Sequence, residues 1–187
     1  MLLLPALLAI LLCVLFVDQP VAMYCAGLAP LKLVFQLCAA PSLLALPLAT
    51  LFLLYATWQR VQDQKSSGLW LTVSAATIAA AAVKDELKFL FGRPWPYAWL
   101  DYHLYKFQPF TDNPLYGAFP SGHTAYVAAP LWVLWCRQPR WRVVYGAVAG
   151  SVMLGLVGAN YHYVSDVLAG LLVGMAAGQA AMVFLDA

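Results

Sequence analysis

Charged residues are scarce in this sequence. Only 10% of its 187 residues are Asp, Glu, Lys or Arg, while 64% are hydrophobic, and soluble domains carry about 25% charged residues. The formal net charge of +2 is too small to indicate a nucleic-acid-binding protein, and no run of like charges forms a polybasic tail. The composition therefore predicts a multi-pass membrane protein, with residues 1–187 forming a single domain.

Paired cysteines and metal-binding motifs are also missing. The four cysteines are scattered without a CxxC pair, which argues against a zinc or redox site. No HExxH or HxxxH pair occurs, and the basic residues that accompany the histidines would repel a divalent cation. We therefore expect no metal ion, no cofactor and no nucleic-acid partner.

Six apolar stretches predict an all-α bundle of six transmembrane helices, since about 20 apolar residues cross a bilayer. The first stretch lacks the basic n-region of a signal peptide and is expected to stay in the protein. Asp18-Gln19-Pro20 is expected to end it, and residues 21–40 to form a short interfacial helix or a re-entrant segment. The spans are predicted at residues 2–17, 41–58, 69–90, 121–136, 143–159 and 167–185.

The charges of the connections predict the orientation of the bundle. Six spans place the connections 59–68 and 137–142 on one side, which the positive-inside rule assigns to the cytoplasm. The connections 18–40, 84–120 and 160–166 then share the opposite face. The charged residues behind this assignment are Arg60, Lys65, Arg137, Arg140 and Arg142, against Asp63.

The stretch Phe119-Pro120-Ser121-Gly122-His123 opens the fourth predicted span. Pro120 suits the first turn of a helix, where its missing N–H has no intrahelical partner. The N–H groups of Ser121 and Gly122 at a helix start form an anion site. His123 beside it can change protonation near neutral pH. The pentapeptide is compatible with a phosphate site served by His123, and equally with an ordinary helix start that carries an interfacial histidine.

Two further polar clusters lie on the same predicted face. Lys84 and Lys88 share a helix face, and the guanidinium of Arg93 suits phosphate oxygens, although basic residues here can also snorkel or bind lipid head groups. His162 and Asp166 are four residues apart, so the carboxylate can orient the imidazole. The alternative for this pair is that it only caps the sixth helix.

The remaining polar loop residues favour simpler interpretations. Loop 92–120 is rich in Trp, Tyr and Phe, which indicates an aromatic belt at the membrane surface, with some of these residues forming a rim where lipid meets the site. His103 stands alone in this loop and is expected to be a surface residue.

Together the three clusters resemble the type 2 phosphatidic acid phosphatase (PAP2) superfamily. Its signatures are, in order, Lys-x6-Arg-Pro, Pro-Ser-Gly-His and Ser-Arg-x5-His-x3-Asp. Residues 120–123 match the second in full, His162-x3-Asp166 matches the end of the third, and Arg93-Pro94 matches the end of the first. The resemblance covers residues 84–166 in motif and the whole chain in layout.

Two positions depart from these signatures. The first-signature Lys should stand at Glu86, which Lys84 and Lys88 bracket; Lys88 is the favoured substitute and Lys84 the second candidate. The third-signature Arg should stand at Leu156. We hypothesise that Lys84 supplies the missing charge or that Asn160 supplies a neutral donor.

The resemblance implies a metal-free, two-step lipid phosphatase or pyrophosphatase. His162 would be the nucleophile, Asp166 would orient it, and His123 would act as acid and then as base. The groups that hold the phosphate would be Lys88, Arg93, Ser121, Gly122 and Lys84.

The resemblance also implies a substrate class. Candidates are phosphatidic acid, phosphatidylglycerol phosphate, undecaprenyl pyrophosphate and lipid A phosphates, all reached from the bilayer. The site is expected on the periplasmic face of a bacterial inner membrane. Two alternatives stay open: a lipid phosphotransferase with the same intermediate, and a non-catalytic lipid transporter or binding protein with a degenerate site. The sequence does not indicate an oligomeric state.

Overall fold

The structure is a computed structural model that describes residues 3–62 and 68–185. Within these ranges the chain forms helices and turns, with one isolated β-bridge between Pro94 and Tyr116. The predicted all-α membrane fold is confirmed. The α-helices are α1 (Leu3–Leu12), α2 (Asp18–Ala26), α3 (Lys32–Ala39), α4 (Ala45–Val61), α5 (Gly68–Phe91), α6 (Pro96–Tyr102), α7 (Gly122–Arg137), α8 (Arg142–Gly158) and α9 (Val164–Leu185).

A π-helical turn, Cys13–Val17, joins α1 to α2. The first helical run therefore extends over Leu3–Ala26, and the prediction that Asp18-Gln19-Pro20 ends the first span is wrong. The wider hydrogen-bonding pattern of the π-helical turn lets the helix continue past Pro20, which has no N–H to donate.

The second helical run also begins earlier than predicted. Residues 29–31 and 40–44 form 3-10 turns that connect α3 to its neighbours, so one run covers Ala29–Val61. Pro30 and Pro41 lie at the starts of these turns, where a missing N–H is tolerated. Residues 21–26 therefore continue the first helical run and residues 29–40 begin the second, with α3 as a short helix between two 3-10 turns; the interfacial or re-entrant position of this segment stays a prediction.

Within residues 3–62 and 68–185, four helical runs are long and apolar enough to cross a membrane. α5 carries four charged residues near its end and α7 has 16 residues, so these two helices fall outside that set. Six leucines of α1 are exposed, as expected for a helix that faces lipid. The chain is an integral, multi-pass membrane protein. The four runs are Leu3–Ala26, Ala29–Val61, Pro139–Gly158 and Val164–Leu185.

Helices α5, α7 and α9 form the centre of the bundle. Glycines of α9 bring it against the backbone of α7: a Cβ at Gly170 would lie 2.4 Å from the carbonyl oxygen of Ser121, and one at Gly174 would lie 2.4 Å from that of Ala125. Only glycine permits this approach. The buried residues where the three helices meet are Val73, Ala76, Ala80, Ala125, Ala129, Val133, Ala177, Ala181 and Met182.

The loop after α5 folds back onto itself. Gly92 has a φ of +52°, and a Cβ there would lie 1.7 Å from the carbonyl oxygen of Gln108, so only glycine fits. The backbone N–H groups of Gly117 and Ala118 donate to the carbonyl of Arg93 at 2.7 and 3.0 Å. The returning loop thus encloses Arg93 at the end of the bundle that holds the N-terminus of α7.

The orientation of the bundle stays a prediction, as does the single domain. Asp63 and Lys65, two of the charges behind the orientation, lie outside the described residues. Arg60 lies in the last turn of α4, and Arg137 in the last turn of α7. Arg140 lies in the next 3-10 turn.

Candidate active site

Ser121 is the N-cap of α7. Its backbone is extended (φ −66°, ψ 114°), and its Oγ accepts hydrogen bonds from the backbone N–H and the hydroxyl of Thr124 at 3.3 and 3.1 Å. The helix proper begins at Gly122. The prediction that Pro120 occupies the first helical turn is therefore wrong: Pro120 precedes the cap, because Ser121 supplies the side-chain acceptor that starts the helix.

The start of α7 is tied to α9. The backbone N–H of Ser121 donates to the backbone carbonyl of Asp166 at 2.9 Å. The N–H groups that follow a cap have no acceptor within their own helix, so Gly122 and His123 carry the N–H groups that an anion at this helix end can use. Ser121 itself is fully buried and its hydroxyl is engaged in capping.

Lys84 of α5 lies beside this helix start. A Cβ at Gly122 would lie 3.0 Å from Cδ of Lys84, so the lysine side chain runs across the glycine. Its Nζ pairs with Asp85 at 2.5 Å. Lys84 can therefore bring a positive charge to the N-terminus of α7, with an exposed carboxylate as its present partner.

Lys88 lies one turn further along α5. Its Nζ donates to the carbonyl of Gly117 at 2.6 Å and stands 4.8 Å from the ring centre of Trp95. Trp95 in turn lies 5.2 Å from the ring of His162. Trp95 thus contacts both Lys88 and the histidine of the third cluster.

His162 and Asp166 are adjacent and almost fully buried. Nδ1 of His162 lies 3.5 Å from Oδ2 of Asp166, longer than a normal hydrogen bond, so the carboxylate acts on the imidazole mainly through its charge. Oδ2 also accepts the backbone N–H of Tyr163 at 2.9 Å, which caps the first turn of α9. The catalytic and the capping interpretations of this pair are therefore compatible.

Arg93 is fully buried between two carboxylates. One terminal nitrogen donates to Asp166 at 2.6 Å and to the hydroxyl of Ser165 at 2.5 Å. The other donates to Asp18 at 2.7 Å and to the hydroxyl of Tyr105 at 3.2 Å. Its Nε makes no hydrogen bond to the described part of the chain. Arg93 thus bonds to the carboxylate that faces His162, and a direct phosphate contact would need one of these bonds to be exchanged.

Asp18 and Tyr105 are the site residues that sequence reasoning missed. Tyr105 donates from its hydroxyl to the carbonyl of Val14 at 2.6 Å, and it lay unremarked among the loop aromatics. The hydropathy pattern places Asp18 at the end of the first predicted span. The sequence contains a signal for Asp18, because a carboxylate inside an apolar run costs free energy unless it has a function or a partner.

The two histidines of the site are neighbours, with their ring planes inclined at 62°. The ring centroids of His123 and His162 are 6.4 Å apart. His123 also lines a cavity of about 220 Å³ whose surface is mostly apolar, although Gln36, Ser42 and Tyr161 are polar members of its lining. The two imidazoles are therefore close enough to act on the same phosphoryl group, and the cavity lies beside His123.

Burial lowers the pKa of the His162 imidazole below its ordinary value; the negative charge of Asp166 opposes the shift and the positive charge of Lys88 adds to it. His162 is therefore neutral at neutral pH. For Arg93, burial disfavours the charged form, but the carboxylates of Asp166 and Asp18 outweigh it and raise its pKa. Arg93 accordingly stays a cation.

The model of the PAP2 superfamily matches residues 67–187 of this chain. The chain belongs to the PAP2 superfamily. The lipid A 1-phosphatases of Rhizobium etli and Rhizobium johnstonii are each 34% identical to it over 99 residues, or 52% of the chain. That stretch is 42% and 40% of the two relatives, so the chain spans about two fifths of the length of the curated relatives it matches.

A solved PAP2 structure shares the fold. It is the first transmembrane PAP2 type phosphatidylglycerolphosphate phosphatase from Bacillus subtilis, and the two structures superpose with a TM-score of 0.55 at 16% identity. The superposition covers 98% of this chain and 95% of that one. At this identity the likeness concerns the fold alone.

The position of the missing PAP2 arginine is a core position here. Leu156 is 2% exposed and packs with Ala39, Val127, Val152 and Val167. No basic group takes its place among the described residues of this cluster.

Of the two substitutes hypothesised for that arginine, Asn160 is engaged elsewhere, because its amide donates to the carbonyl of Ala22 at 2.9 Å. Lys84 lies at the start of α7. The placement favours Lys84, and the role of either residue stays a prediction.

The remaining expectations concern metal ions and His103. Among residues 3–62 and 68–185, no group of three or more His, Cys, Asp or Glu side chains is placed to hold a metal ion. His103 is exposed at the C-terminal end of α6, so it provides a natural control for the two histidines of the site.

Proposed function

We propose that this protein is an integral membrane phosphatase that removes phosphate from a lipid phosphate monoester or pyrophosphate through a phosphohistidine intermediate. The observation that carries the proposal is the pair of neighbouring histidines. Their ring centroids are 6.4 Å apart, and only His162 has a carboxylate, Asp166, beside its Nδ1. This asymmetry assigns His162 as the nucleophile and His123 as the acid and base.

In the first step, Nε2 of neutral His162 attacks phosphorus. The N–P bond forms, the bond from phosphorus to the lipid oxygen breaks, and protonated His123 gives its proton to that oxygen. The positive charge that develops on His162 is stabilised by Asp166, which lies 3.5 Å from the other ring nitrogen.

In the second step, water attacks the phosphohistidine. Neutral His123 takes a proton from the water, the N–P bond breaks, and its electron pair returns to His162. Inorganic phosphate leaves and His123 is protonated again for the next cycle. No metal ion takes part in this scheme.

The phosphoryl oxygens are held at the N-terminus of α7. The N–H groups of Gly122 and His123, with Lys84 and Lys88 alongside, converge there, and fixed donors of this kind stabilise the charge of a phosphoryl transition state. Arg93 acts on the phosphoryl charge through Asp166. A direct contact with the phosphate would require Arg93 to exchange one of its hydrogen bonds to the protein when the substrate binds.

The substrate is proposed to be a lipid that enters from the bilayer. The cavity next to His123 is mostly apolar, which suits the part of a lipid nearest the phosphate. The relatives are named for lipid A 1-phosphate and the structural neighbour for phosphatidylglycerol phosphate. These two lipids, with phosphatidic acid and undecaprenyl pyrophosphate, form the panel to test.

The active site is proposed to face the periplasm of a bacterial inner membrane. Arg137, Arg140 and Arg142 belong to a connection that the positive-inside rule assigns to the cytoplasm. The three site clusters meet at the start of α7, whereas this connection follows its end. The two ends of α7 thus carry the site and the basic connection, and their separation along this helix supports the assignment of the site to the opposite face.

Phosphate release from the four lipids, with protein purified in detergent, tests the proposal. We expect release from at least one lipid, unchanged by EDTA, retained by His103→Ala and abolished by His162→Ala. Release that persists in His162→Ala, or no release from any of the four lipids, would contradict the proposal. Transfer of the phosphate to an acceptor in place of water would indicate a phosphotransferase.

A further inference from the structure

Asp18 is a carboxylate inside an apolar helical run. It follows the π-helical turn directly and is 1% exposed, and the only other buried residues of α1 and α2 are Ile10 and Ala22. Burying a charge is costly unless it is paired. Asp18 also lies outside residues 67–187, which carry the PAP2 match, so nothing in the family motifs accounts for it.

The carboxylate of Asp18 connects two parts of the site. Oδ2 pairs with Arg93 at 2.7 Å and also accepts the hydroxyl of Ser165. Oδ1 accepts the backbone N–H of Ser165 at 3.0 Å, which satisfies an open donor at the N-terminus of α9. One side chain of the first membrane helix therefore holds both the buried guanidinium and the helix end that presents Asp166.

The net charge of Asp18, Arg93 and Asp166 indicates the role of Asp18 in the site. Arg93 pairs with Asp18 and Asp166, and all three side chains are 0% exposed. An Arg93–Asp166 pair alone would be neutral, so Asp166 could give little stabilisation to a positive charge on His162. With Asp18 present the three groups carry a net charge of −1, and that excess is available to the imidazole.

We propose that Asp18 is a positioning residue that neutralises Arg93 and thereby leaves the carboxylate of Asp166 free to stabilise positive charge on His162. The inference rests on the proposed function, in which His162 is the nucleophile. It assigns an electrostatic role to a residue of the first membrane helix that touches neither the phosphate nor the histidines.

Two measurements on the Asp18→Asn variant test this role. The first is kcat and KM on the best lipid of the panel, compared with the parent and with Asp112→Asn, a matched change at an exposed loop residue. We expect kcat to fall roughly 10–100-fold, the loss typical when an outer partner of a catalytic side chain is removed, with KM little changed. Asp112→Asn should match the parent.

The second measurement is the titration of His162 by NMR in histidine-labelled protein, which is simple because the chain has three histidines. Four groups bear on the result: Asp166 on α9, Lys88 on α5 and His123 on α7 face the ring, and Arg93 lies behind Asp166. In Asp18→Asn the carboxylate that balances the charge of Arg93 is gone, so the midpoint of the His162 titration should move to lower pH. In the double variant Asp18→Asn/Arg93→Gln it should return towards the parent value.

The outcomes separate this inference from the proposed function. If His162→Ala is inactive while folded Asp18→Asn keeps the parent kcat or the parent midpoint, the role of Asp18 is wrong and the proposed function stands. If His162→Ala is active, the proposed function itself fails.

A folding failure of the single variant does not remove the test. If Asp18→Asn does not fold, the double variant, which leaves no uncompensated cation, decides. Its midpoint should lie at the parent value, and a displaced midpoint would overturn the proposal.

Discussion

At the scale of single residues, the surroundings of His162 determine the pH range in which the proposed nucleophile works. Burial and Lys88 lower its pKa below the ordinary value of 6.5, against the charge of Asp166. Protonation removes the attacking lone pair, and with a lowered pKa this occurs at a lower pH. We therefore predict that kcat/KM does not decline as the pH falls through 6.5 and that an acid limb appears only below it.

A profile of kcat/KM between about pH 4 and pH 9 checks this prediction. The variant Lys88→Gln serves as a comparison, because removing its positive charge should move the acid limb to higher pH, whatever happens to the size of kcat/KM. A parent profile that already declines above pH 6.5 would disagree with the assignment of His162.

Lys84 and Asn160 are the two candidates for the task of the missing PAP2 arginine, and Lys88 is the favoured candidate for the first-signature lysine. We predict that Lys84→Ala and Lys88→Ala each lower kcat/KM by about 10²–10³-fold, the usual cost of one transition-state donor. Asn160→Ala should keep kcat/KM near the parent value and instead reduce stability by about 1 kcal/mol, because its amide holds Ala22.

Steady-state kinetics and thermal unfolding of the three variants measure these effects, with the exposed Lys106→Ala as the control. Full activity in Lys84→Ala would show that Lys84 does not substitute for the arginine, and full activity in Lys88→Ala would show that Lys88 does not serve as the first-signature lysine. A large kinetic loss in Asn160→Ala would restore it as the substitute.

At the scale of helices, close packing of α9 on α7 sets the distance between the two histidines. A Cβ at Gly170 would lie 2.4 Å from the carbonyl oxygen of Ser121, at the cap that precedes His123. We predict that Gly170→Ala pushes the start of α7 away from α9, destabilises the protein by ~1–3 kcal/mol and lowers kcat. Gly150→Ala is the control, because its Cβ would meet nothing within 4 Å.

Thermal unfolding and phosphate release of both glycine variants provide the measurement. If Gly170→Ala and Gly150→Ala behave alike, the contact between the two helices does not control the site.

The positions of α5, α7, α8 and α9 could be predicted because their apolar runs end at clear polar breaks, such as Asn160 to Ser165. The extents of the first two helical runs could not be predicted. The first run continues past Pro20 after a π-helical turn, and in the second run Pro30 and Pro41 lie at the starts of 3-10 turns. A prediction from the apolar runs and prolines alone places helix ends at those prolines.

The same limit applies to the site. Motif spacing pairs His162 with Asp166, and the predicted common membrane face and the resemblance to the PAP2 superfamily add His123 to them. These signals miss the partnership of Asp18 with Arg93, which are 75 residues apart, because only packing of the first run against the loop after α5 creates it. The buried position of Leu156 likewise depends on neighbours contributed by α3, α7 and α9.

At the scale of the whole molecule, the proposed orientation in the membrane puts the site on the periplasmic face. We predict that a cysteine placed at exposed Asp112, in a chain whose four native cysteines are replaced, reacts with a membrane-impermeant maleimide in cells with a permeable outer membrane. A cysteine at Arg140 should react only after the inner membrane is opened. The reverse labelling pattern would place the site in the cytoplasm.

The central claim is that His162 carries the phosphoryl group. p-Nitrophenyl phosphate has a leaving group that needs little protonation, so in His123→Ala the first step should proceed while hydrolysis of the intermediate slows. Brief reaction of this variant with ³²P-labelled p-nitrophenyl phosphate should therefore leave a covalent label that is labile in acid and stable in alkali. The account predicts that this label is absent from His123→Ala/His162→Ala; a label of the same amount in the double variant would contradict it.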